Sequence, residues 1–251
     1  MKKTILSFYI SFAYGSMIAP EDGAVLNHIH ILFEWEQVPG ALSYDLQISE
    51  DIHFLSIVSE VTYFILAYIE KNYLNWETTY YWRIRANFSN HSSDWLTPSL
   101  FTTSEALSSS SIDYIEPSQY QEGVTVFGAF FNYFSAAIDH TGKEIWNSGV
   151  NNFVYYSSNT DGNVFGCSLL SGAENNLPGM EISFQNEIIW EEPNNEFLHH
   201  DIIKLPNGNY LGIVEINSLG PILSRMVDSY NLIYFFLKFS FHIFIGYNST
   251  T

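Results

Sequence analysis

Apolar and polar side chains alternate with a period of two in several short runs within residues 31–103. Phe33 and Trp35 fall on one side of a run and Glu34 and Glu36 on the other. Tyr44, Leu46 and Ile48 form the apolar side of a second run. Tyr80, Trp82, Ile84 and Ala86 form that of a third, with Tyr81, Arg83 and Arg85 facing the opposite way. A period of two is that of a strand with one buried face. Turn formers punctuate the runs at Pro20-Glu21-Asp22-Gly23 and Pro39-Gly40. Short alternating strands separated by such turns predict an antiparallel β-sandwich. The serine run Ser108–Ser111 has no apolar period and places a linker at residues 104–119.

Beyond the linker the runs lengthen and their punctuation repeats. Trp146 recurs as Trp190 after 44 residues, and Asp161-Gly162-Asn163 recurs as Asn207-Gly208-Asn209 after 46. Two motifs in step at that period predict four-stranded propeller blades, whose repeats run about 40–50 residues. The fold class expected is all-β, a sandwich followed by a partial β-propeller over residues 120–223. Residues 224–251 lack blade turns. They read as a strand pair, a membrane segment interrupted by Lys238 and His242, or an aberrant, off-frame tail, and the last reading is preferred.

Composition narrows the function. The chain has 251 residues, 27 acids against 9 bases and a net charge of −18. Such a surface repels phosphate backbones and anionic lipids, so nucleic acid and stable membrane insertion are not expected. With 47% hydrophobic and 14% charged residues the chain has material for a core and is not a disordered acidic segment. Cys167 is the only cysteine, which rules out an intrachain disulfide and a multi-cysteine zinc site. Its strand-like surroundings predict a buried, inert thiol. Lys2 and Lys3, a short apolar stretch and Ala13-Tyr14-Gly15 read as an export signal over residues 1–16, with a first strand of the mature domain as the other reading. Export puts the protein outside the cell, in the periplasm or at the cell surface. His28 and His30 share a face without a third ligand nearby and are expected to be solvated.

The chemistry-bearing stretch is residues 197–214. His199, His200 and Asp201 lie in one predicted strand, Pro206-Asn207-Gly208-Asn209 forms a turn read as a primed hairpin, and a second strand returns from Tyr210. Strict alternation puts His199 and Asp201 on one face and His200 on the other. Histidine suits proton transfer near neutral pH and can act as a nucleophile. As a metal site, His199 and Asp201 fall short of the three or four ligands expected.

Two resemblances follow from these motifs. Phe33-Glu34-Trp35, the run from Val38 through Tyr44 to Ser49, Tyr80 to Ala86, Ser93-Asp94-Trp95 and Phe101-Thr102-Thr103 together resemble a fibronectin type III domain over residues 20–103. That resemblance implies a seven-stranded sandwich serving as a spacer or binding module, with Trp35 and Trp82 in its core. The order of Phe127 to Trp146 and then Leu198-His199-His200-Asp201 to Leu211 resembles the N-terminal blades of bacterial aryl-sulfate sulfotransferases. It implies a propeller with channel histidines that moves a sulfuryl group from an aryl sulfate to a phenol through a histidine intermediate, with no cofactor. The implied catalytic residues are His200, His199 and Asp201; His200 is preferred as the channel histidine and His199 stays open. A closed propeller needs at least about four blades, and only about two are readable, so an incomplete fragment with little activity is expected. The alternative is a non-catalytic extracellular adhesion or scaffold protein built on the fibronectin type III module.

Overall fold

The computed structural model describes residues 15–112, 116, 123–130, 132–169, 177–193, 198–217 and 240–247, and for residues 198–200, 213–217 and 240–247 it describes the backbone alone. The export signal expected at residues 1–16 therefore falls almost wholly outside the described residues. The chain divides into two compact units between Ala106 and Leu107.

The first unit contains β1 (Met17–Ala19), β2 (Ala24–Leu26), β3 (Ile31–Trp35), β4 (Ser43–Ser49), β5 (Ile57–Tyr63), β6 (Ala67–Glu70), β7 (Thr79–Asn87) and β8 (Ser99–Thr103). One sheet has the order β1-β3-β6 and the other β2-β8-β7-β4-β5. The expected alternation is met along β7, where Tyr80, Trp82, Ile84 and Ala86 are buried. Phe33 from the first sheet meets Trp82 and Phe101 from the second, edge to face, at ring separations of 5.1 and 5.8 Å. Trp35 packs on Tyr44 at 5.6 Å. Trp35 and Trp82 are thus core residues, and such pairs add about 0.5–1.5 kcal/mol each beyond the area they bury.

Seven strands, β2–β8, lie within residues 20–103, and one more, β1, precedes them. The turn at Pro20–Gly23 divides the first strand: β1 pairs antiparallel with β3, while β2 crosses over and pairs parallel with β8. His28 departs from expectation: it is buried rather than solvated. Burial and the neighbouring His30 bring its pKa down to about 4, as expected for a cationic form deprived of water.

The second unit is a run of antiparallel meanders. β9 (Thr125–Ala129), β10 (Phe134–Ile138) and β11 (Glu144–Asn147) form the first sheet. β12 (Phe153–Ser158), β13 (Val164–Ser168), β14 (Gly179–Ile182) and β15 (Ile188–Glu191) form the second in chain order. β16 (Leu198–Lys204), β17 (Tyr210–Asn217) and β18 (Ser240–Tyr247) form the third. Of residues 224–251, the segment assigned to an aberrant tail, eight form β18 and pair with β17 from Tyr210↔Tyr247 to Asn217↔Ser240. Its remaining residues lie outside those described.

Four hairpin turns share one geometry. The amides of Asp139, Asn159, Ser183 and Leu205 donate to the carbonyls of Lys143, Asn163, Glu187 and Asn209. The fourth residue of each turn, Gly142, Gly162, Asn186 or Gly208, donates back to the first. That fourth residue has φ of 87°, 84°, 67° and 86° in turn. This is a type I turn closed by one left-handed residue. The turn at Gly208 is accordingly not the primed type: positive φ is confined to Gly208. In three turns the first side chain reinforces the loop, Asp139 Oδ1, Asn159 Oδ1 and Ser183 Oγ each accepting the amides of the third and fifth residues.

Ser135 joins the first two sheets. Its Oγ donates to the Phe153 carbonyl at 2.9 Å and accepts the Tyr155 amide at 2.7 Å. Trp146 stacks on Phe184 at 5.9 Å and donates Nε1–H to its carbonyl at 2.7 Å. Part of the expected linker is likewise held within this unit. The amides of Leu107 and Ser108 donate to the buried Glu144 carboxylate at 3.0 and 2.6 Å.

Candidate functional site

His199, His200 and Asp201 lie in β16, the first strand of the third sheet, which runs beside β12 and β13 of the second. Strict alternation does not hold there. Leu198 pairs with Val214 and Ile202 with Gly212, so the segment from Leu198 to Ile202 carries two more residues than the strand it faces. The His-His-Asp segment occupies this bulge, and bulges re-aim side chains. The face assignment made from alternation is therefore lost. Asp201 is exposed; the imidazoles of His199 and His200 lie outside the described residues.

Immediately after the bulge the strand is firmly anchored. Ile202 is 0% exposed and packs with Phe165, Trp190 and Tyr210. Two residues on, Lys204 Nζ meets the Glu181 carboxylate at 3.0 Å. Glu181, on β14, is 0% exposed and fully engaged. Asn163 Nδ2 donates to its Oε1 at 2.7 Å, and the Tyr210 hydroxyl donates to its Oε2. The Tyr210 ring lies flat against Trp190 at 3.9 Å. Burial, followed by the hydrogen bond to Glu181, pushes the Tyr210 pKa up to about 12. Lys204 is held above its ordinary value: burial opposes the charge, but Glu181 and Tyr210 outweigh it.

A cleft of roughly 370 Å³ opens beside this cluster, between Asn159 and Asp161 on one turn and Ile202 and Lys204 of β16 with Pro206 of the next turn. A second space of about 330 Å³ lies in the first unit, with Val38, Tyr44, Ile84 and Phe88 as apolar walls and His91 at its polar side. Asp201 lines neither. Among the described residues no three histidine, cysteine, aspartate or glutamate side chains are grouped as metal ligands. Cys167 is buried, with its thiol pushed up to about 11 by burial, so it is not poised as a nucleophile.

The Glu181 network was not read from the sequence. Its only local sign is a lone acid between Met180 and Ile182, in a strand whose four residues are all buried. Its partners stand 18 to 29 residues away, which no short motif reports.

No family model matches the chain, and no curated protein matches it. Among solved structures, the chain is similar to an Fn3-like protein from Clostridium thermocellum, with 18% identity over 34% of this chain and 90% of that one, at a TM-score of 0.28. It is also similar to the FN1–FN3 domains of chicken CNTN1, with 13% identity over 78% of this chain and 56% of that one, at a TM-score of 0.31. The fibronectin type III-like character of the first unit stands on its own strand order and core: a β1-β3-β6 sheet facing a β8-β7-β4-β5 sheet, with β2 added at the edge beside β8.

Proposed function

We propose that the second unit is the beginning of a β-propeller of the aryl-sulfate sulfotransferase type, carried outside the cytoplasm behind a fibronectin type III-like spacer. The observation that carries this reading is the arrangement of three successive antiparallel meanders with four turns of one hydrogen-bond pattern, the third opening on the strand that bears His199-His200-Asp201. In propellers the meanders stand around a central channel, which gives this segment a place beside the reacting groups.

In the proposed reaction a neutral imidazole, that of His200 by preference or of His199, attacks the sulfur of an aryl sulfate. The S–O bond to the aryl oxygen breaks, and a general acid protonates the departing phenolate. A second phenol, losing its proton to a base, then attacks the same sulfur, and the S–N bond breaks. Electron pairs and protons balance without a nucleotide or metal. Donors around the transferring group stabilise its oxygens, and losing one such donor costs about 10²–10³ in rate. The three sheets among the described residues of this unit fall short of the four or more that close a propeller, so slow turnover is expected of this chain alone.

The test is release of a chromogenic phenol from its sulfate, with a second phenol as acceptor, in this chain and in one extended by further blades. The extended protein should be active, and His200→Ala or His199→Ala should lower its turnover at least tenfold, about 1.4 kcal/mol in barrier. Unchanged turnover in both variants would sink the assignment.

A second reading is a non-catalytic extracellular binding or scaffold protein. It is favoured by the first unit, whose two facing sheets have the strand order of a fibronectin type III-like sandwich. An extended protein that folds yet never turns over an aryl sulfate would decide for it.

A further inference from the structure

Glu181 is not required by the repeat in which it sits. In the first sheet the pair Ala137↔Trp146 occupies the place that Glu181↔Trp190 holds in the second. In the hairpin of β12 and β13 the pair Ser158↔Val164 occupies the place of Lys204↔Tyr210. The equivalents of Glu181, Lys204 and Tyr210 are thus Ala137, Ser158 and Val164, which cannot form this network. At the junction of the second and third sheets Glu181 is buried completely, and fully buried ionic groups are costly unless every lone pair is met. Here Asn163, Lys204 and Tyr210 meet them.

The position of this network matches a need of the strand beside it. Through the bulge between Leu198 and Ile202 the ladder to β17 does not fix β16. Register there is set from the first residues beyond the bulge. Ile202 supplies non-directional burial, whereas the Lys204–Glu181 contact is directional and ties β16 to β14 of the neighbouring sheet. Tyr210 makes the same tie from β17. Buried polar groups that select one register among several are the best-attested use of such pairs.

We propose that Glu181 is a positioning residue, which through Lys204 and Tyr210 fixes the register of β16 and so the placement of the His199-His200-Asp201 segment. The inference rests on the sulfotransferase reading for its functional meaning, but its test does not need turnover. The full 251-residue chain is labelled on histidine, and the imidazole signals of His199 and His200 are titrated, with His28 in the first unit as internal reference. Glu181→Leu should move the titration midpoint of at least one of the two imidazoles by about half a pH unit or more, against an ordinary value near 6.5. Amide exchange over residues 201–204 should rise at least about tenfold, and His28 should be unchanged. Glu181→Gln, which retains an acceptor for Asn163 or Tyr210, should shift them less.

A folded Glu181→Leu protein with both imidazoles titrating as in the parent overturns the proposal, whatever its melting temperature. Should that variant fail to fold, Lys204→Met and Tyr210→Phe carry the test, and unchanged imidazoles in both overturn it equally. Shifted imidazoles in a protein whose extended form never turns over an aryl sulfate uphold the positioning role and remove the sulfotransferase reading. Unchanged imidazoles together with turnover remove the positioning role alone.

Discussion

Trp95 lies between two guanidinium groups, with Arg83 and Arg85 each 4.5 Å from its ring centre. Arg83 also covers Phe54 at 3.8 Å, and Arg85 is paired with Asp45 at 2.8 Å. The row Phe54, Arg83, Trp95, Arg85, Asp45 closes the outer face of the second sandwich sheet. It spreads two positive charges over aromatic faces in a chain that is otherwise strongly acidic. Cation–π contacts at partly exposed sites are worth about 0.5–1 kcal/mol each. Trp95→Ala removes two of them and is expected to destabilise the first unit by about 1–2 kcal/mol, read as a lower urea midpoint at unchanged slope. Arg83→Lys keeps the charge but loses the planar fork that donates twice to Gln47 Oε1, and should recover only part of that stability.

His28 makes the stability of the same unit depend on acid. Its folded pKa, about 4, lies below the ordinary 6.5. A histidine depressed in this way contributes stability that is present above pH 6.5 and is lost as pH falls toward 4. The difference corresponds to about 3 kcal/mol. Urea midpoints measured from pH 7 to pH 4 should fall over that interval, and His28→Gln should flatten the fall. A parent protein with no slope between pH 6.5 and 4 would show that His28 is not held neutral.

The alternation in β3 and β7 made the sandwich legible, because a half-buried strand writes its burial directly into every second residue. The division of the first strand was not legible: the parallel pairing of Ala24–Leu26 with Phe101–Thr103 is a choice between partners some eighty residues apart. Of the four matching turns, Gly142, Gly162 and Gly208 announce their left-handed residue, whereas Asn186 does so only in the structure. In the candidate site the motif itself was visible, but neither the bulge that breaks its alternation nor Glu181 was. Both depend on which strand lies alongside, and a single strand's sequence carries little of that.

Glu144 ties down the first part of the serine run. Its two oxygens accept from the Leu107 and Ser108 amides, and Asn147 Nδ2 donates to it at 2.7 Å. A protease must extend the chain it cuts, so residues held this way resist it. Limited proteolysis of the parent is therefore expected to spare the bond between Leu107 and Ser108, and Glu144→Ala should make it a preferred site. Equal cleavage there in both proteins would count against the anchor.

Gly128 provides the sharpest test of how the first two sheets of the second unit meet. A Cβ added there would stand 2.8 Å from the Tyr155 amide nitrogen, 2.8 Å from Val154 Cγ1 and 3.0 Å from the Tyr155 carbonyl oxygen. Two of these three neighbours are backbone atoms of β12, which cannot turn aside as a long side chain can. The strands must therefore separate, which also stretches the nearby bridge from Ser135 Oγ to the Tyr155 amide. Overpacking of this kind costs about 1–3 kcal/mol. Gly123, in the same unit, is the natural control, since a Cβ there meets nothing within 4 Å. Alanine at that position should be neutral or stabilising by up to about 1 kcal/mol, through a less flexible unfolded chain. Peptide-resolved hydrogen exchange in increasing urea reads both variants in the full chain without confusing the two units. Gly128→Ala should lower the protection of β9 and β12 while β3, β4 and β7 of the sandwich keep theirs. If Gly128→Ala and Gly123→Ala leave the second unit equally protected, β9 does not lie against β12 as described.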